Sequence, residues 1–543
     1  AALSIGVGVV AVVLALALAN GFLWQPFPYQ DQDRIAMVLE ATQFTNEMPA
    51  APANYFAWGE AAESVESLEA WSTSVANLSG LERPEEVQYG GMTVGLLRTL
   101  GRQPVLGRGF RPDEGVAGAN HVVLLDHGYW QARFDGDPDV LGRVLELDGV
   151  PHTVVGVMPE DFELFPANLD LYRPLALERD DWERSLMVVG RLGPDRTVEQ
   201  LESELAAVTT AMQTNHPSNE NLRAQVRPIR AFFPGPTDTR LIQIFLIVGG
   251  FVLVIAAANV AGLLLSRAQG RDREIAVRTA LGAPRHRIVA QLLTEAVLLA
   301  LVGAAIGTVG SVFAVQGLAA AMPAEVPDAF MPRLDAVVLL LTLAVAVFAG
   351  LLFGASPAFH ALRSDLRGSL SETGRGGTGA RARTRARSAF VVGEFAVALA
   401  LLTGAGLLVR TFDRIVNAEP GFRADHVLTM RVTLPERDYP DDAAMTRFHD
   451  RLEERLAAVP GVRGVTLMNA LPRSRYIGYT RFATRDQLEM AREEQPGAVW
   501  QPASPSFFQV IEGSIVRGRG IQDTDRATTT PVVVINQRLA ERY

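Results

Sequence analysis

The chain of 543 residues is 48% hydrophobic and 20% charged, and its mean hydropathy of +0.15 implies several membrane-spanning runs. The net charge of −10 argues against nucleic-acid binding, and the absence of Cys excludes disulfide frameworks, thiol nucleophiles and Cys-ligated zinc. All 50 basic residues are Arg. Without Lys there is no Walker-A loop, no kinase strand Lys and no Schiff-base site, so an ordinary ATPase centre is not expected in these residues. The length corresponds to about three to four domains. Ala1 lies inside an apolar run and Tyr543 in what reads as an unfinished domain, so a fragment is expected.

Five apolar stretches reach the roughly 20 residues needed to cross a bilayer. The first, 1–23, is too long for a signal-peptide core and is followed by Trp24 and Tyr29, side chains suited to the membrane interface. The segment 24–240 holds 33 acidic residues against 17 Arg, a balance that fits a translocated domain. Within it, 144–147 and 152–157 are β-rich runs around Asp148-Gly149, a hairpin signal. A strand is expected over 187–192. Thr197 and Gln200 form a capping box that opens a helix to about Gln213, with Leu201, Leu205 and Val208 on one face.

The next three stretches, 241–265, 288–321 and 336–359, define a three-helix domain over 241–360. The loop 267–287 carries Arg267, Arg271, Arg273, Arg278, Arg285 and Arg287, and the linker 361–388 carries seven more Arg. The positive-inside rule places both in the cytoplasm and leaves 322–334, with one Arg, outside. A fifth helix, 389–412, returns the chain to the outside. There 413–543 resembles 24–240 in kind, with a helix over 448–459 carrying Leu452 and Leu456 on one stripe and a buried strand at 532–535. Val105-Leu-Gly-Arg-Gly-Phe110 recurs as Val516-Arg-Gly-Arg-Gly-Ile521, 411 residues later, and 122–125 recurs as 532–535. Matched order and context point to one complete unit followed by the opening of a second.

The loop from Ser266 to Arg287 admits two readings. Ile275, Ala276 and Leu281 share part of a helical face, Glu274 and Arg278 are an i,i+4 pair, and Gly282 and Pro284 stop the helix. This is either an Arg-rich loop obeying topology or a short amphipathic helix that docks a cytoplasmic partner. The residues also carry a family likeness. Arg273-Glu-Ile-Ala-Val-Arg278, Ala280-Leu-Gly-Ala283, Gln291-Leu-Leu-Thr-Glu295 and Gly303…Gly307 resemble the signature of FtsX-like ABC-transporter permeases of the MacB type. Leu106-Gly-Arg-Gly-Phe110, Gly136-Asp-Pro-Asp139, Leu147-Asp-Gly149 and Val154-Val-Gly-Val-Met-Pro159 resemble the MacB-like periplasmic core domain. The restart at 389 resembles duplicated permeases of this group, with the cytoplasmic start and the second three-helix block missing.

The resemblance implies an α-helical transmembrane bundle of five spans with large mixed α+β periplasmic core domains, the second truncated, in the bacterial inner membrane. It implies a permease without catalytic residues or cofactor. An ABC ATPase in trans would dock on Arg271, Arg273, Glu274, Ile275, Arg278, Leu281 and Gly282. Membrane lipid, a periplasmic or outer-membrane partner, and a dimer or pseudo-dimer of repeats would complete the assembly. Export of an amphiphilic substrate is the leading expectation. The alternative is a non-transporting relay that regulates a cell-envelope enzyme; an intramembrane enzyme has no catalytic constellation behind it. Asn259 is expected to make an interhelical hydrogen bond worth about 1 kcal/mol, Glu295 to serve packing near the inner interface, and Gly303/Gly307 with Gly350/Gly354 to let helices approach closely. Asp135, Asp137, Asp139 and Glu146 mimic calcium-loop spacing, but Val140 stands where that loop requires Gly, so no metal site is expected.

Overall fold

The computed structural model describes residues 2–24, 27–42, 47–80, 84–164, 168–213, 216, 219–232, 236–270, 284–322, 330–363, parts of 392–414, 423, 426–434, 438–471, 478–490, 495–526 and 528–543. They form two compact units, Ala1–Gly406 and Leu407–Tyr543.

The first unit opens with α1 (Ala2–Ala19), an uncharged apolar helix that passes through a π-helical turn, Asn20–Trp24, into a sheet domain, called the outer domain after the side of the membrane expected for 24–240. That domain is built on ten strands: β1 (Ile35–Ala41), β2 (Val65–Ser79), β3 (Glu85–Met92), β4 (Leu106–Gly107), β5 (Val122–Leu125), β6 (Val144–Leu147), β7 (Val150–Val157), β8 (Leu171–Pro174), β9 (Met187–Leu192) and β10 (Arg223–Pro228). Helices α2 (Pro52–Ala61), α3 (Leu96–Thr99), α4 (His127–Phe134), α5 (Val198–Met212) and α6 (Ile229–Phe232) connect or cover them.

Two lobes share β2. In one, β10, β1, β9 and β2 lie side by side. Every residue of β1 is buried because both faces are covered: Ile35 and Met37 enter one core, Ala36 and Val38 the other, beneath α2 and α5. In the other lobe β2, β3, β8, β5, β7 and β6 pair in succession, and β6 returns to β2 through Leu78 and Ser79, which closes a six-stranded ring. Alternate residues such as Leu78, Val87, Val123, Val154 and Leu171 fill its interior. The hairpin at Asp148-Gly149 has φ of +52° and +73°, the paired left-handed geometry that fits a two-residue turn, and β7 starts at Val150 rather than at 152. The capping box at Thr197 and Gln200 and the strand 187–192 are where the sequence places them.

Three long helices complete the unit: α7 (Pro236–Gly270), α8 (Arg285–Ala321) and α9 (Ala336–Arg363). Ile5, Val9, Val12, Val13 and Leu16 of α1 share one apolar core with Leu253 and Val260 of α7, Ala304 of α8 and Val338, Ala346 and Ala349 of α9. Three described helices are long and apolar enough to cross a membrane, Ala2–Trp24, Thr239–Ala257 and His286–Ala321; Ala336–Leu352 and Ala398–Leu407 are shorter apolar stretches.

The second unit holds α10 (Asp442–Ala457), β11 (Gly478–Arg481), β12 (Gly497–Trp500), α11 (Phe507–Val510) and α12 (Gln537–Arg542). Two expectations fail here. The helix expected over 448–459 begins at Asp442, because Asp441 caps it through a bond from the Ala444 N–H at 2.6 Å. Residues 532–535 are neither strand nor buried, with Val533 80% exposed. In the first unit the matching strand, β5, is held between β7 and β8; the described part of the second unit offers no counterpart of either.

Candidate functional site

Small residues set the helix contacts. A Cβ at Gly303 would lie 2.6 Å from Ile5 Cβ, and one at Gly307 would lie 2.6 Å from Val9 Cβ and 2.7 Å from the Gly6 carbonyl oxygen. Gly6 on α1 returns the contact, since its Cβ would meet the Gly303 carbonyl at 3.5 Å. Gly350 and Gly354 do the same for α9 on α8, against Ala300 Cβ at 3.0 Å and Ala296 Cβ at 2.6 Å. Both glycine pairs therefore lie where backbones approach too closely for a larger side chain. Glu295, half-buried on α8, accepts a hydrogen bond from Gln291 Nε2 at 3.2 Å. Asn259 departs from expectation. The stripe of α7 that meets α1 contains Gly249, Leu253 and Ala256, and Asn259 falls on the exposed side with Phe251 and Val254.

The segment expected to dock a partner, Arg271, Arg273, Glu274, Ile275, Arg278, Leu281 and Gly282, lies outside the described residues. Its two supports are described: α7 runs to Gly270, and α8 restarts at Arg285 behind Pro284, whose fixed φ suits a helix start. Among the described residues no group of three His, Asp or Glu side chains could hold a metal ion. Asp135 instead ends α4 in the left-handed conformation, and Asp137 caps the next turn through the Asp139 N–H at 2.9 Å.

At the opposite end of the bundle the structure brings together residues that the sequence did not group, among them Tyr29, which lies buried in the sheet-domain core rather than at a membrane interface. Phe330, from the connection between α8 and α9, stacks on Phe22 of the π-helical turn with centroids 5.0 Å apart and planes 11° apart. Phe27 meets Phe330 edge-on at 6.3 Å and stacks on Tyr29 at 5.8 Å. Tyr29 donates a hydrogen bond to the Glu163 carbonyl at 2.7 Å; burial and the nearby Glu163 charge raise its pKa and keep the phenol neutral. Asn20 Nδ2 donates to Asp335 Oδ2 at 2.7 Å, while Asp335 Oδ1 caps α9 through the Val338 N–H at 2.8 Å. The sequence signal was faint: isolated aromatic residues just outside apolar runs.

A family model described as the MacB-like periplasmic core domain matches residues 1–208, and one described as the FtsX-like permease C-terminal matches residues 246–366. The chain is 28% identical over 254 residues to the pyoverdine export ATP-binding/permease protein PvdT of Pseudomonas syringae pv. tomato, covering 46% of this chain and 37% of that one. It is 29% identical over 265 residues to the macrolide export ATP-binding/permease protein MacB of Escherichia coli K12, covering 46% and 38%. The chain thus spans less than two fifths of the length of these curated relatives. The crystal structure of the periplasmic region of MacB from Actinobacillus actinomycetemcomitans is similar at 15% identity and a TM-score of 0.29, over 38% of this chain and 91% of that one. The two family matches lie one after the other and together take in more than half of the sequence, and the chain belongs to the MacB/FtsX-like ABC permeases.

Proposed function

We propose that this chain is the permease part of a MacB-like ABC exporter. Nucleotide hydrolysis by a separate ATPase, bound at Arg271, Arg273, Glu274, Ile275, Arg278, Leu281 and Gly282, is coupled to motion of the outer domain. One observation carries the reading: a sheet domain is followed in the chain by α7, α8 and α9, which pack on α1, in the order of the two family matches. The five apolar stretches then serve as five spans, with domains at 24–240, 241–360 and 413–543, the Arg-rich linker 361–388 in the cytoplasm and the outer domains in the periplasm. The repeat supports a pseudo-dimer of two such units in the inner membrane. The names of the relatives, pyoverdine export and macrolide export, support export as the activity, for which an amphiphilic cargo is our proposal.

Charge steers such docking, while the apolar stripe of Ile275 and Leu281 sets its stability. The test is affinity capture of the full chain with Ile275→Asp and Leu281→Asp. Loss of the co-purifying ATPase with membrane insertion intact supports the reading, and unchanged recovery refutes it. Capture of a wall hydrolase in place of an export partner would favour the relay.

A further inference from the structure

The connection between α8 and α9 belongs to the helix bundle by sequence, yet Phe330 belongs to the core of the outer domain. It is 9% exposed and shares a cluster with Ile35, Leu96, Met158 and Tyr172, all of which the outer domain supplies. Gly21 makes this approach feasible, because a Cβ there would stand 3.0 Å from the Phe330 carbonyl oxygen. The same junction holds the π-helical turn, the Asn20–Asp335 hydrogen bond and the N-terminal cap of α9. π-Helical turns inside helices recur at functional positions, since the extra residue redirects the chain beyond it. Three chain segments therefore converge on one ring: the end of α1, the start of α9 and the first residues of the outer domain.

We infer that Phe330 is a positioning residue through which the bundle sets the orientation of the outer domain. This rests on the transport reading above only for its purpose; the orientation itself is a property of the chain alone. A packed ring in a close-packed core has few alternative placements, so the domain follows the helix that carries it. The chain passes between bundle and domain twice, after α1 and again ahead of α7. Phe330 adds a third, non-covalent point that limits rotation about those two.

The absence of native Cys allows clean labelling. Ala117→Cys on the outer domain and Gln316→Cys on α8, both exposed positions, carry spin labels in the full chain in lipid nanodiscs. Electron-spin distance distributions are read without nucleotide. A single narrow maximum is expected with Phe330 and with Phe330→Trp, which keeps an aromatic face. Phe330→Ala should broaden the distribution and lose the single maximum, and Phe330→Leu, which keeps apolar volume and folding, should broaden it as well. Leu96→Ala is the control, a core truncation of the outer domain's own residue that should lower thermal stability and leave the distribution narrow. An unchanged distribution in both Phe330→Ala and Phe330→Leu overturns the inference, as does equal broadening in Leu96→Ala. Adding the ATPase and ATP tests the other reading separately: narrow wild-type and broad Phe330→Ala distributions that ignore ATP would refute transport and uphold the joint.

Discussion

The Arg108 guanidinium holds the Glu114 carboxylate through both Nη atoms, at 2.9 and 2.6 Å, and 411 residues later Arg519 holds Asp525 in the same way, at 2.6 and 2.7 Å. The surrounding bonds repeat. Each Arg also donates to the carbonyl of the adjacent Gly, Gly109 or Gly520, at 2.9 Å in both copies. The backbone N–H groups of Arg111 and Gln522 donate to the same two acids, at 2.7 and 2.9 Å. Gly107 and Gly518 open both loops with φ of +77° and +81°. Helices α3 and α11 keep the same offset, and both end in a bond to the second residue's carbonyl, from Arg102 and Gly513. The 411-residue sequence repeat is thus a repeat of one loop geometry, its ion pair retained with Glu exchanged for Asp.

Glu114→Gln should therefore destabilise the first outer domain. Glu114 is 7% exposed, so the loss leaves Arg108 without its charge partner, at a cost of about 1–3 kcal/mol. Burial raises the pKa of Glu114, but the Arg108 and Arg111 bonds outweigh it and hold the carboxyl below its usual value of 4.5. A carboxylate depressed in the fold stabilises above its unfolded pKa, and that contribution disappears as pH falls through the folded value. Thermal unfolding of the wild type and Glu114→Gln should differ at neutral pH and converge in acid. Asp525→Asn, where the paired Arg519 stands half exposed to water and the carboxyl pKa lies near 2, should have a smaller effect.

Local signals in the sequence survived into the structure where a few adjacent residues decide the outcome. The Asp148-Gly149 turn, the Thr197 capping box and the strand 187–192 are of this kind. The closure of the six-stranded ring was not legible, because it depends on β2 meeting β6 across nearly seventy residues through Leu78 with Leu147 and Ser79 with Glu146. The early start of α10 is announced by the Asp441 cap alone, because its first turn, Asp442-Ala-Ala-Met445, continues no stripe with Leu452 and Leu456. Periodicity could show that 303 and 307 share a helix face, but not that α1, from the far end of the unit, fills it.

That glycine face yields a second prediction. Gly307→Val places a branched side chain against Val9 and the Gly6 backbone, neither of which can yield without moving α1. A loss of about 1–3 kcal/mol is expected from overpacking. Gly317→Ala on the same helix meets open space and should be neutral. Thermal unfolding in detergent compares the two, and equal melting would count against the α1–α8 contact.

His152 gives the outer domain an acid sensitivity of its own. Its ring is 3% exposed, lies 5.4 Å from that of His121, and donates from Nδ1 to the Val150 carbonyl at 2.9 Å. Burial lowers its pKa, the Arg173 and His121 charges lower it further, and the Val150 bond and Asp148 oppose them only in part. The fold therefore holds His152 neutral, while the unfolded chain protonates it near pH 6.5. Its stabilisation is present above that value and is lost as pH falls. The melting temperature should drop between roughly pH 7.5 and 5, and His152→Gln should flatten the slope. Parallel slopes would show that other groups govern the acid response.

Topology is open to a direct test, again because the chain has no Cys to remove. Ala117→Cys lies on an exposed turn of the outer domain and should react with an impermeant maleimide in intact cells. Gly379→Cys lies in the Arg-rich linker 361–388, where seven Arg oppose translocation, and should react only after permeabilisation. The two positions report opposite sides of the membrane only if the chain crosses an odd number of times between them. In the proposed topology the apolar stretches 241–265, 288–321 and 336–359 supply three crossings; of their described apolar parts the last, Ala336–Leu352, is the shortest. If that helix lay along the surface instead, the count would be even and Gly379→Cys would label from outside. Such labelling would also place the linker on the wrong side of the membrane for a bundle whose loop 267–287 grips a cytoplasmic ATPase.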